Sequence, residues 1–115
     1  MRYLLMIYGD EGAEATMTPE DGAKMMAAYE KFGEEYGAKG VLRGGERLRP
    51  TSDATTVQVR GGNLSTSDGP YAETKEQIGG FYLIEADNLD EAVSVAAAIP
   101  AAHVGTIEVR PIWEM

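Results

Sequence analysis

The chain has 115 residues and a mass of 12.4 kDa, the size of one domain, and its 43% apolar and 25% charged residues are typical of globular proteins. This composition disfavours a disordered, collagen-like or coiled-coil chain, and no apolar run approaches the roughly 18 residues of a membrane span. The absence of cysteine excludes disulfides, zinc–thiolate sites and cysteine nucleophiles. We predict one soluble, cytoplasmic domain over residues 1–115, without a metal or another cofactor.

The net charge of −9 comes from 10 basic and 19 acidic side chains, and it disfavours direct nucleic-acid binding because like charges repel. Residues 39–60 reverse this balance. Their basic side chains are Lys39, Arg43, Arg47, Arg49 and Arg60. This segment is interpreted either as a handle for an anionic ligand or as an exposed hairpin edge protected by charge, and protection is the commoner role.

The first third of the chain predicts a strand followed by a helix. Arg2–Tyr8 is apolar on both faces, as in a strand covered on both sides, and Gly9–Ala15 is predicted to be an acidic loop. Thr18 suits the N-cap of a helix that ends near Gly37. The apolar stripe of this helix is Met25, Tyr29, Phe32 and Tyr36. Two i,i+4 ion pairs are predicted on its exposed side: Glu20–Lys24 and Lys31–Glu35.

The middle of the chain predicts an irregular strand and a β-hairpin. Val41–Leu48 reads as the strand, with a bulge or bend at Gly44-Gly45. Thr55–Arg60 alternates and is rich in β-branched residues, and Gly61-Gly62-Asn63 turns it back into Leu64–Ser67.

The last third predicts a strand, a helix and a final strand. Tyr71–Gln77 has room for one short helical turn before the strand Ile78–Glu85. One face of that strand carries Ile78, Tyr82 and Ile84, and the other carries Phe81 and Leu83. Asn88 caps a helix whose buried stripe is Leu89, Ala92, Val93, Ala96 and Ile99. The final strand is Thr106–Ile112, with Glu108 and Arg110 on the face away from the helices.

This order of elements is β-α-β, an extra β-hairpin, then β-α-β. It predicts an α+β fold of the ferredoxin-like, split β-α-β kind. In that class the strands that precede the two helical crossovers lie in the middle of the sheet. In this sequence those are the two strands that are apolar on both faces. Two helices cover one face of the sheet, and an apolar face of this size needs a cover on the other side too. We therefore predict a homodimer that packs sheet to sheet.

The usual preferences of turn residues do not explain one segment by themselves: Asp68-Gly69-Pro70-Tyr71-Ala72-Glu73-Thr74-Lys75-Glu76. It resembles the motif of the DGPF (DGPFAETKE) family in the YCII-related group, with Tyr71 in place of phenylalanine. Further agreement comes from Gly79-Gly80-Phe81-Tyr82, Asp90-Glu91-Ala92, Pro100 and Gly105–Pro111. The resemblance implies a dimeric α/β barrel. It also implies lyase- or isomerase-like relatives that act on ring compounds, and an association with extracytoplasmic-function sigma factors.

The candidate catalytic residues are His103 and Asp68. His103 is the only histidine, the residue type best suited to general acid or base catalysis, so it is a candidate for that role, oriented by a carboxylate such as Asp68 or Glu73. The alternative for His103 is an exposed position in a helix–strand connection. The alternative for Asp68 is a structural role in which its side chain fixes the turn by binding backbone N–H groups.

The candidate ligand-binding residues are Glu73, Lys75, Glu76, Arg110 and Tyr82. On a helical turn Glu73 and Glu76 would share a side and form paired carboxylates, or they would anchor the loop to backbone amides or to Arg110. Tyr82 is a candidate, with Tyr8, for the wall of a cavity on the sheet face opposite the helices. The alternative role of both tyrosines is dimer packing.

Three functions fit this sequence. The first is a homodimer with a small-molecule or acid–base site in the cleft between the helix-free sheet face and the hairpin. The second is a regulatory protein that binds a sigma factor without catalysis. The third is a structural dimer without chemistry of its own.

Overall fold

A computed structural model describes residues 1–115, with three α-helices and two sheets. The elements are β1 (Arg2–Gly9), α1 (Glu11–Ala15), α2 (Pro19–Ala38), β2 (Leu42–Arg47), β3 (Thr55–Arg60), β4 (Asn63–Asp68), β5 (Gln77–Glu85), α3 (Leu89–Ala98) and β6 (Thr106–Pro111). Short 3-10 turns cover Thr51–Asp53 and Pro100–His103. None of the helices combines the length and the apolar character that a membrane crossing requires.

Four strands form one sheet in the order β2-β5-β1-β6, with every neighbouring pair antiparallel. Each long crossover skips a strand: α2 connects β1 to β2, and α3 connects β5 to β6. The strands predicted to be central, β1 and β5, are central, and the predicted α+β class is confirmed. The remaining strands, β3 and β4, form a separate hairpin, as predicted. Its turn uses two glycines with positive φ, Gly61 (58°) and Gly62 (81°).

The core lies between the helices and one face of the sheet. Leu5, Ile84 and Ile99 are fully buried, each worth roughly 1.5–3 kcal/mol of burial free energy. The predicted stripe of α2 supplies the aromatic part, since the ring of Phe32 lies 4.8 Å from that of Tyr36 and 5.1 Å from that of Tyr82. The sheet face toward α2 and α3 therefore carries the buried core.

The helix caps follow from short polar side chains. Thr18 accepts a hydrogen bond from the N–H of Asp21 (3.1 Å), and Asn88 accepts one from the N–H of Glu91 (2.9 Å), as predicted. The prediction of a loop over Gly9–Ala15 is wrong, because Asp10 caps the short helix α1 by accepting from two backbone N–H groups.

Two predictions about helix surfaces are also wrong. In α3, Leu89 and Val93 are about half exposed and Val95 is buried instead. The buried stripe is therefore rotated about the helix axis by about half the angle between successive residues. In α2, neither predicted ion pair forms. Glu35 instead pairs with Lys39 (3.6 Å), one turn toward the C-terminus.

A bulge changes the facing of one end of β5. The register of β1 and β5 shifts between Ile7 and Tyr8, so that Ile78 lies opposite Tyr8. Ile78 therefore shares a face with Phe81, and its predicted placement beside Tyr82 is wrong. Periodicity missed this because one extra residue reverses the facing of every residue beyond it. The predicted helical turn over Tyr71–Gln77 is absent as well, and the segment is an irregular loop.

Candidate functional site

One face of the four-stranded sheet has no helix on it, and we call this surface the free face. The strand register places apolar side chains of β1 and β5 at its centre. These apolar side chains are Leu4, Met6, Tyr8, Ile78, Phe81 and Leu83. Charged side chains lie at its edges, Glu46 on β2 and Glu108 and Arg110 on β6. The free face is therefore an apolar strip bordered by charge.

Glu108 and Arg110 interact directly on the free face. The Arg110 guanidinium donates a hydrogen bond to the Glu108 carboxylate, and the two residues are neighbours on the same side of β6. Arg110 is 68% exposed and Glu108 39% exposed, so solvent screens this ion pair strongly. Its place on the predicted side of the sheet is confirmed, while its role in ligand binding stays a prediction.

The motif loop begins at the end of the hairpin. Gly69 has a φ of 101°, donates its N–H to the carbonyl of Ala54 (2.8 Å) and accepts a hydrogen bond from the Thr56 hydroxyl (2.8 Å). The Asp68 side chain is exposed and has no hydrogen-bond partner, so the predicted turn-fixing role of its carboxylate is wrong. The backbone of Gly69 takes that role because it alone adopts the positive φ at low cost.

The far end of the motif loop is anchored to β6. Glu76 accepts a hydrogen bond from the Thr106 hydroxyl (2.9 Å), and Gln77 donates to the carbonyls of Ala72 (2.8 Å) and Thr74 (3.1 Å). Of the anchors predicted for Glu76, neither a backbone amide nor Arg110 is used. Nothing in the sequence pointed to Thr106 or Gln77 beyond their positions at the start of a strand.

The other motif side chains face solvent. Glu73 and Lys75 are exposed, and neither makes a hydrogen bond or an ion pair. The prediction that Glu73 and Glu76 share one side of a helical turn is wrong, because the loop contains no helix. Only Glu76 of this group reaches the sheet.

Glu76 helps to form a recess of about 410 Å³ at the corner of the free face, which we call the motif recess. Its other lining residues are Tyr8, Thr106, Ile107 and Glu108. The end of β1, the start of β6 and the motif loop meet there. The recess offers two carboxylates and two hydroxyls beside an apolar strip, which suits a small molecule with hydrogen-bond donors. No group of three or more acidic, histidine or cysteine residues is close enough to hold a metal ion.

His103 lies apart from the motif recess. It is exposed and lines a wide groove of about 850 Å³ on the helix side of the sheet, between α2 and the 3-10 turn after α3. No hydrogen bond or ion pair joins His103 to Asp68 or Glu73 within the protomer. A catalytic role for His103 and Asp68 stays a prediction.

Tyr82 lies on the helix-covered face. Its ring packs against Phe32 and against the backbone of Gly45, where a Cβ would come within 2.7 Å of the tyrosine ring. Its predicted place on the cavity wall with Tyr8 is therefore wrong, and so is its alternative role in dimer packing through that wall. Burial raises the pKa of Tyr82 above the ordinary value of 10.0, as it does for neighbouring Tyr29.

Comparison with known proteins identifies the family of this chain. The family model of the YCII-related domain matches residues 1–115. An uncharacterised protein of Rhizobium meliloti (strain 1021) is 37% identical over 114 residues, covering 97% of this chain and 92% of that protein. The chain belongs to the YCII-related family, so the resemblance carried by the motif is confirmed.

Proposed function

We propose that the chain is a homodimer that binds a small polar molecule in the motif recess. The observation that carries this proposal is the convergence of Tyr8, Glu76, Thr106 and Glu108 at the edge of the free face. Hydroxyl and carboxylate oxygens beside an apolar strip suit a ring compound that bears an amine or hydroxyl group.

The dimer is supported by the area that one protomer exposes. A compact monomer of this mass exposes about 6,100 Å², whereas this protomer exposes 8153 Å². The surplus of about 2,000 Å² exceeds the roughly 800 Å² that each partner buries in a standard interface. Packing two free faces together would cover the apolar strip and complete a dimeric α/β barrel, with the two motif recesses at its rim.

An acid–base reaction in the motif recess would use groups other than the predicted catalytic residues. His103 lines a different groove, so the carboxylates within reach of a ligand in the motif recess are Glu76 and Glu108. In lyase- or isomerase-like chemistry, Glu76 would take a proton from the ligand, while Arg110 balances the charge of Glu108.

The dimer is tested by light scattering over a dilution series. Leu83→Lys places a charge in the apolar strip and should convert the dimer to a folded monomer. Val93→Lys is the matched control, because Val93 is 49% exposed on α3, on the other side of the molecule. Equal masses for the two variants at every concentration would contradict the proposed interface.

The ligand site is tested by NMR titration with two fragments of opposite charge, benzylamine and benzoate. Benzylamine should shift the amide signals of Tyr8 and Thr106, and benzoate should not. Glu76→Gln should weaken this binding, whereas Glu73→Gln should leave it unchanged, because Glu73 is exposed and has no partner. No site-specific shift with either fragment, combined with a stable complex with a sigma factor, would favour the regulatory function instead.

A further inference from the structure

The hairpin of β3 and β4, which we call the arm, presents an apolar face to solvent. Val57 and Val59 of β3 alternate with polar residues, and the register pairs Val59 with Leu64 of β4 on the same face. These three side chains are 57–69% exposed, whereas Thr56 and Gln58 on the polar face are partly buried. The usual order of burial is reversed, so this face lacks a cover within the protomer.

The arm also stands apart from the rest of the protomer. No strand pairing connects it to the four-stranded sheet. The radius of gyration is 16.1 Å, compared with about 13 Å for a compact chain of this length. An isolated two-stranded hairpin is at best marginally stable in water, so a defined arm needs a surface to pack on.

We infer that the apolar face of the arm docks on a second copy of this chain, inside the proposed homodimer. The area of the protomer favours this occupant. A standard interface on the free face would use about 800 Å² of the surplus surface and leave about 1,200 Å² uncovered. The arm belongs to the same protomer, and its two strands pair only with each other.

The chemistry of the arm also favours a second copy. Its apolar face carries one charged residue, Asp68 at the base. This face therefore lacks the charged groups that would select a partner of opposite charge. In a twofold dimer the same contact forms twice, so that each arm would lie against the other protomer. Because Asp68 both ends β4 and opens the motif loop, a docked arm would also hold that loop in place from the partner's side.

The inference rests on the proposed homodimer and is tested with a matched pair on one strand. Val57→Lys adds a charge to the apolar face, and Gln58→Lys adds the same charge to the polar face. Sedimentation equilibrium should give a dimer dissociation constant raised about tenfold or more for Val57→Lys, the effect of losing one buried valine. For Gln58→Lys the constant should stay within about threefold of the parent.

Thiol labelling gives a second readout that does not depend on affinity. The chain has no cysteine, so Val59→Cys and Arg60→Cys each introduce a single thiol on opposite faces of the arm. Association should slow the labelling of the Val59→Cys variant and leave that of the Arg60→Cys variant unchanged. Circular dichroism of both variants shows whether the fold is retained.

The outcomes separate the two proposals. A monomeric parent chain would overturn both the homodimer and the docked arm. A dimer that Leu83→Lys dissociates but Val57→Lys leaves intact, with equal labelling of both thiols, would overturn the arm alone. Loss of a larger assembly in Val57→Lys, with an unchanged dimer, would likewise overturn docking within the dimer.

Discussion

Gly105 decides how closely the start of β6 approaches β1, so it positions one wall of the motif recess. A Cβ on Gly105 would overlap the backbone oxygen of Tyr8, well inside the 3.0 Å that real Cβ contacts keep. That obstacle is main chain in a paired strand, and it has no rotamer by which to move aside. Gly105→Ala therefore has to displace β6 near Thr106 or break its pairing with Tyr8.

The cost of Gly105→Ala lies at the upper end of overpacking changes, about 3 kcal/mol. The unfolding entropy near the midpoint is about 2.1 cal/mol/K per residue. For 115 residues, this unfolding entropy converts a loss of about 3 kcal/mol in unfolding free energy into a fall of about 12 °C in Tm. The displacement should also weaken the hydrogen bond from Thr106 to Glu76, so the variant should bind benzylamine less well.

Thermal unfolding followed by circular dichroism measures this effect at one fixed protein concentration, because a dimer makes Tm depend on concentration. Gly33→Ala is the control, since Gly33 lies in α2 with nothing within 4 Å of the added methyl group. It should raise Tm by about 2–4 °C through helix propensity. A Tm for Gly105→Ala within about 2 °C of the parent would refute the claimed close approach.

Three further predictions concern single contacts. Asn88→Ala removes the cap of α3 and should lower Tm by about 4 °C, the equivalent of about 1 kcal/mol, whereas an unchanged Tm would mean the cap is replaced by water. Burial raises the pKa of Tyr82 in the folded state, so the stability this group contributes is present below pH 10.0 and is lost as pH rises through the raised pKa. Tyr82→Phe should therefore lose less stability than the parent in urea unfolding between neutral pH and about pH 11, and equal losses would contradict this. In a double-mutant cycle, Glu76→Ala and Thr106→Val should show a coupling of about 0.5 kcal/mol in unfolding free energy, and strict additivity would argue against their hydrogen bond.

Side-chain periodicity and caps predicted the elements well because both act over a few residues. Thr18 and Asn88 mark the starts of the long helices in the sequence and in the structure. Local chemistry also predicted the hairpin, since only glycine adopts the positive φ of its turn without strain. The missed helix α1 lies within the same reach, because Asp10 is a good N-cap followed by helix-compatible residues.

The candidate site was predicted less well, because it depends on which distant residues meet. His103, Asp68 and Glu76 all lie near turns, yet only Glu76 reaches the motif recess, and its partner Thr106 is 30 positions away. Alternation along β5 separates its two faces, but it does not say which face α2 will cover. The helix packs on the face that carries Tyr82, so this tyrosine is not on the free face with Tyr8.

The order of residues along the chain determined the class of fold, the two central strands and the family, because alternation, capping and a nine-residue motif are local or contiguous properties. The tertiary structure alone decided which polar side chains share the motif recess, which tyrosine is buried and which way the arm turns its valines. A single bulge residue or the docking of one helix changes these neighbours, and neither leaves a regular pattern in the sequence.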